Sequence, residues 1–167
     1  MPELKYKRIL LKVSGEALAG DAHRGLDFTI VGELCESIKT CVDMGVQIGL
    51  VIGAGNFWRG VKDGADKMQR SHADSMGMLG TVMNAIAVAD ALNRHGMDAR
   101  VLSAVEMNKF AEYFTRDLAE RYLNEGKVVS NSGLPAGQLD IQTLLYICIL
   151  FYLPRWDAIH RAFGECT

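Results

Sequence analysis

The stretch Val51–Gly60, VIGAGNFWRG, decides how this chain folds. Its first residues close a short apolar run, Val46 to Ile52, which reads as a strand. The strand runs straight into a Gly-rich turn, followed by the aromatic pair Phe57-Trp58 and by Arg59. Gly53 and Gly55 let the backbone approach a ligand closely. Successive N–H groups in such a turn can form an anion nest, and Arg59 can add a planar, two-pronged phosphate clamp. The turn therefore reads as a phosphate site at the end of a parallel strand.

Strands and helices alternate on either side of it. Upstream, the strand Arg8 to Val13 ends in Ser14-Gly15, and a loop is expected from Glu16 to Asp27. A helix from about Thr29 to Met44 places Ile30, Leu34, Ile38, Cys41 and Val42 on one face, with Gly45 as its closing glycine. Downstream, a polar, mobile loop is expected from Val61 to Arg70. A longer helix follows from about His72 to Arg94, with Met76, Leu79, Met83, Ile86 and Ala87 at helical spacing; its methionines, Met78 included, read as core or interface packing. Gly96 closes it, and a strand is expected near Arg100 to Ser103. The next helix is placed at about Lys109 to Asn124, with Phe110, Phe114, Leu118 and Tyr122 on its apolar face. Gly126 ends it and Lys127-Val128-Val129 begins a strand. This order predicts an α/β fold, a three-layer α/β/α sandwich around a mostly parallel sheet.

The chain has 167 residues, enough for one domain with a real core, and a net charge of −2. Its basic residues form no long run, so nucleic acid is not an expected partner. The four cysteines, Cys35, Cys41, Cys148 and Cys166, show no CxxC spacing and read as reduced thiols of a cytoplasmic protein, without a metal or disulfide role. Pro2-Glu3-Leu4-Lys5 leads directly into the first strand, so no leader is expected. The most apolar run, Leu144 to Leu153, has ten residues against the roughly 20 that span a bilayer, so no membrane partner is expected. Composition shifts after Val129: no lysine follows Lys127, and two of the three prolines lie beyond. The chain divides accordingly into a domain, residues 1–129, and a divergent tail, residues 130–167, for which a lost reading frame is the hypothesis.

Three phosphate-binding patterns compete. A Walker loop needs GxxxxGK[ST]; Gly20 to Gly25 has the glycine spacing, but Leu26-Asp27 stands where Lys and Ser/Thr are required. A dinucleotide fingerprint needs GxGxxG, and Trp58 occupies its third glycine position. The third pattern is a crevice where several strand-end loops converge. Lys12 ends the first strand before Ser14-Gly15, and Arg59 follows the second. A lysine and an arginine so placed suit phosphoryl transfer, whose catalysis is mostly positioning and charge compensation.

KRILLKVSGEALAG, VIGAGNFWRG and HADSMGMLGTVMNAIAVADAL together resemble the bacterial-type uridylate kinases of the amino-acid-kinase family, in register from about Lys7 to Val129. The resemblance implies transfer of the ATP γ-phosphate to UMP, giving UDP in pyrimidine nucleotide biosynthesis, with Mg²⁺ and no covalent enzyme intermediate. It implies that Lys12, Val13, Ser14 and Gly15 hold the ATP phosphates. Gly55 and Arg59 would lie between donor and acceptor phosphates, with Lys12 and Arg59 catalytic, and Ala54 and Asp74 would bind UMP. The segment Gly20, Asp21, Ala22, His23, Arg24 and Gly25 corresponds to a region tied to allosteric activation by GTP. A homohexamer with GTP or UTP as effectors is the implied assembly.

Two departures stand out. Ala54 replaces a glycine common in the family, and the family's GTGNP-type loop and second half, with the adenine site, are not recognisable from Ser130 to Thr167. Without the motif, Lys12 reads as a solvated strand-end lysine and Asp74 as a helix N-terminal carboxylate favoured by the dipole. Phe57 and Trp58 read as loop packing, Asp21 and His23 as loop surface, and no histidine as catalytic. Two other functions follow from the same residues: an incompetent fragment that keeps UMP-side binding, or a non-kinase binding protein on this fold. Loss of the second half predicts an exposed strand edge and exposed apolar helix faces.

Overall fold

A computed structural model of the chain describes residue 4 and residues 6–59 and 67–133. Residues 61–66 of the expected polar loop, and the tail from residue 134 with its apolar run, lie outside the described residues. The elements are β1 (Arg8–Val13), a 3-10 turn (Ala17–Ala22), α1 (Phe28–Asp43), β2 (Gln47–Ile52), α2 (Arg70–Arg94), β3 (Ala99–Ser103), β4 (Glu112–Tyr113), α3 (Arg116–Asn124) and β5 (Val128–Ser132).

The strands form one sheet in the order β1-β2-β5-β3-β4, and each neighbouring pair is parallel. All carboxyl ends therefore lie along one edge. β2 is apolar from Ile48 to Ile52 because both faces of the sheet are covered, whereas the carboxyl half of β5 buries Ser130, Asn131 and Ser132. On one face Val31, Cys35 and Ile38 of α1 and Val88 and Leu92 of α2 pack on Ile48, Leu50, Ile52 and Val128. On the other, Ala119, Tyr122 and Leu123 of α3 pack on Val51, Leu102 and Val129. This is the expected three-layer arrangement. Each helix is closed by a left-handed glycine, Gly45, Gly96 or Gly126, as the sequence indicated.

Local boundaries differ from expectation in four places. The stretch after Gly15 is not plain loop: Leu18 N–H donates to the Gly15 carbonyl at 3.1 Å, starting the 3-10 turn, and Leu18 inserts into the core. The α1 core face is rotated towards Val31 and Cys35, with Ile38 shared, and Asp27 caps the helix by accepting from the Thr29 N–H at 2.9 Å. The third helix begins at Arg116, not near Lys109. Thr115 takes the cap, its Oγ1 accepting from Leu118 N–H at 3.2 Å, and the preceding residues form β4 beside β3. Phe110, placed on that helix by periodicity, is 70% exposed in a turn. Finally, β5 continues three residues past Val129, to Ser132.

The largest correction concerns α2. The stripe Met76, Leu79, Met83 and Ile86 is not core; Leu79 and Met83 are 55% and 52% exposed. The buried face is built of Ala73, Gly77, Gly80, Thr81, Asn84, Ala85 and Val88. Small residues win there because α2 lies close against the β2 loop: a Cβ on Gly80 would stand 2.9 Å from the Ala54 Cβ. By length and composition α2 is apolar enough to cross a bilayer, yet half of its apolar window is buried inside the fold.

Candidate active site

The β1–β2 register pairs Lys12 with Val51 and Val13 with Ile52, so Ser14-Gly15 leaves the sheet beside Gly53-Ala54. The Gly53 N–H continues the ladder by donating to the Val13 carbonyl at 2.9 Å. The two loops then touch backbone to backbone. A Cβ at Gly15 would lie 2.5 Å from the Gly53 carbonyl oxygen and 2.8 Å from the Gly55 nitrogen. Only glycine fits at position 15, which explains the Ser14-Gly15 pair in physical terms.

Arg59 closes the turn. Its Nε donates to the Gly55 carbonyl at 3.3 Å, and its guanidinium meets the Glu16 carboxylate at 2.8 Å. Glu16 also lies over Gly55, where a Cβ would meet its Oε1 at 3.0 Å. A carboxylate thus holds the guanidinium beside the glycine turn, using an N–H edge that could grip a phosphate oxygen. Lys12 is exposed, and its ammonium has no hydrogen-bond or ion-pair partner among the described residues.

The Gly20–Gly25 segment is drawn into the same place. Gly25 N–H donates to the Asn56 carbonyl at 3.1 Å, and Asn56 Nδ2 donates to the Gly25 carbonyl at 2.6 Å. Ala22, His23 and Arg24 line an open hollow of about 270 Å³ together with Gly55, Asn56, Phe57 and Arg59. His23 adopts φ 56°, the one left-handed non-glycine residue among those described. Gly20 and Asp21 stand behind it, on the side of Ile30 and Asp27 and at the surface respectively.

Asp74 is not joined to this group. It lies on the second turn of α2, where both carboxylate oxygens sit 3.3 Å from Arg70 Nε. It lies six positions before Gly80, the α2 contact for Ala54, or about 9 Å along the axis. Ala54 meets α2 through its methyl group, so alanine at this position is accommodated by the glycine opposite.

Sequence reasoning passed over three residues that build the site. Glu16, the acidic residue after Ser14-Gly15, is the partner of Arg59. Asn56 is 2% exposed and Asn84 fully buried, and their amides pair reciprocally. The available signal was a single polar residue in an otherwise apolar stretch of α2, and an asparagine directly after the glycine pair. The Trp58 indole N–H is buried without a hydrogen-bond partner among the described residues. No trio of His, Cys, Asp or Glu side chains is grouped to hold a metal ion among the described residues.

Comparison with known proteins finds relatives of the same α/β fold. The amino acid kinase family model matches residues 7–148. The chain belongs to that family. Among solved structures it is similar to UMP kinase from Bacillus anthracis, with TM-score 0.72 and 32% identity over 77% of this chain and 53% of that one. It is similar to UMP kinase from Ureaplasma parvum, with TM-score 0.71 and 28% identity over 78% of this chain and 57% of that one. The amino acid kinase chain described here thus spans little more than half the length of these structures.

Proposed function

We propose that the carboxyl-edge crevice of this amino acid kinase family member handles the phosphates of ATP and UMP, in a transfer that yields UDP and ADP. The observation that carries the reading is the backbone contact of the two loops at Gly15, Gly53 and Gly55, flanked by Lys12 and Arg59. Amide groups close together and two cations answer the needs of a phosphoryl group in transit, whose charge spreads over its outer oxygens. In the transfer, a UMP phosphate oxygen forms a bond to the γ-phosphorus as the bond from that phosphorus to the β,γ-bridging oxygen breaks. Arg59 exchanges Glu16 for the moving phosphoryl oxygens, Lys12 compensates the ATP phosphates, and Val13, Ser14 and Gly15 present backbone to them. Ala54 supplies backbone to UMP, and Asp74, released from Arg70, accepts from its hydroxyl groups.

The described residues offer no cluster of three His, Cys, Asp or Glu side chains for Mg²⁺, which on this reading enters on the ATP phosphates. The same reading carries a cytoplasmic location, a homohexamer, and GTP or UTP as effectors.

The test is UDP formation by the purified chain with ATP, Mg²⁺ and UMP, with CMP and AMP as control acceptors. UMP-selective turnover, lowered roughly 10²-fold or more by Lys12→Ala and by Arg59→Ala, is the expected result. UMP binding without turnover favours the second reading, a nucleotide-binding part of the kinase fold, which accords with the length matched in the structural neighbours. Absence of both UMP and ATP binding overturns the proposal.

A further inference from the structure

We infer that Asn56 and Asn84 form a clasp that makes the Gly20–Gly25 turn and the Gly53–Arg59 loop one mechanical unit, with Asn56 and Asn84 acting as positioning residues for the phosphate crevice. Asn56 Nδ2 donates to Asn84 Oδ1 at 3.0 Å, and Asn84 Nδ2 returns a bond to Asn56 Oδ1 at 2.7 Å. Each amide then uses its second N–H outward: Asn56 to the Gly25 carbonyl at 2.6 Å, and Asn84 to the Gly53 carbonyl at 2.7 Å. The Gly25 N–H closes the circuit on the Asn56 backbone carbonyl at 3.1 Å. Both side chains are buried, so each lost partner leaves an amide or carbonyl without water. Asn56 Oδ1 also stands 2.5 Å from where a Cβ on Gly15 would be, so the β1 loop rests on the same amide.

The clasp therefore has α2 as its anchor and touches three loops at once. A displacement at Gly53–Arg59 cannot occur without breaking or carrying the Gly25 bonds. Asn56, one half of the clasp, lines the same hollow as Ala22, His23, Arg24 and Arg59.

The test is residue-resolved hydrogen exchange and amide chemical shifts on the full chain. In the wild type, the amides of Gly25, Gly53 and Phe57 open together, with protection factors equal within about threefold. In Asn84→Ala, exchange at all three rises at least about tenfold, the scale of one lost buried hydrogen bond, while Leu50 and Val129 in the sheet keep their protection. Asn84→Ser, whose hydroxyl cannot reach both partners, gives the same pattern if the alanine variant does not fold. Gly25 exchanging far faster than Gly53 in the wild type, or unchanged protection at Gly25 in the variants, overturns the clasp.

Coupling of a ligand to the turn rests on the proposed function, and a second readout separates the two. Adding Mg·ATP shifts both the Gly55 and the Gly25 amide resonances of the wild type; in the variant the Gly55 shift persists and the Gly25 shift is lost. Shifts at both in the variant overturn the coupling. No shift at Gly55 in the wild type counts against the proposed function, and the exchange experiment still decides the clasp.

Discussion

Gly15 is the residue on which the crevice depends. Gly15→Ala drives a methyl group into the Asn56 amide and the Gly53 carbonyl, so the two loops must separate. We expect a loss of about 1–3 kcal/mol in urea unfolding, together with weaker Mg·ATP binding by calorimetry. A second residue-scale prediction concerns the thiols. Burial first, with the neighbouring Glu36 charge second, pushes the Cys35 thiol up to about 11, whereas Cys41 is half-buried. At pH 8, labelling with a thiol reagent followed by peptide mapping should find Cys41 modified and Cys35 protected until the chain is unfolded. Tyr122 donates to both carboxylate oxygens of Glu112, at 2.7 and 2.9 Å, while its ring packs in the apolar cluster under α3. That hydrogen bond, with burial second, holds the phenol protonated above the ordinary value of 10.0. The bond therefore stabilises the fold fully below pH 10 and ceases to do so as pH rises through the raised value. Tyr122→Phe should cost about 1 kcal/mol at pH 7, and the difference from wild type should shrink above pH 10 in pH-resolved melts. At this scale the sequence disclosed the glycines and cations, because special backbone and fixed charge are written in residue type. It did not disclose the Asn56–Asn84 pair or Glu16, whose roles arise from segments far apart in the chain.

Among the elements, β1, β2 and β3 were readable to within about one residue, since short apolar runs bounded by Gly or Ser leave little choice, whereas β4 was hidden in a stretch read as helix and β5 runs on to Ser132. The helices were harder. Phe110, Phe114, Leu118 and Tyr122 recur every four residues, yet only the last two lie in α3. Thr115 offers a cap that ends the extended segment, and β4 gains a ladder with β3, so local periodicity loses to two specific sets of bonds. Thr115→Ala should lower stability by about 1 kcal/mol, read from chemical unfolding. In α2 the error has the opposite cause. Large apolar residues suggested the core side, but at Gly80 the β2 loop approaches too closely for them, and only further along do Val88 and Leu92 fill the core. Ala85→Leu should therefore destabilise by about 1–3 kcal/mol, whereas Met83→Gln, on the exposed stripe, should change the unfolding free energy by less than about 0.5 kcal/mol.

For the molecule as a whole, the alternation of strands and helices was enough to expect a parallel sheet covered on both faces, because parallel strands need crossovers and most crossovers are helices; β3 to β4 is the exception, joined without one. The strand order was not legible. Nothing in the residues of β5 says that it lies between β2 and β3. The order has a consequence for how the chain is made. β2 and β3 are neighbours in sequence among the strands but not in space; β5, the last described strand to be synthesised, fills the gap between them. Until it emerges, the nascent chain holds two half-sheets, β1-β2 and β3-β4, whose facing edges carry unsatisfied ladder groups. The ribosome thus releases this sheet open at its centre, to be zipped from within. Stalled nascent chains should turn protease-resistant in one step as Ser132 clears the exit tunnel, and not gradually as each strand appears, so the interval before that step is when the chain most needs a chaperone.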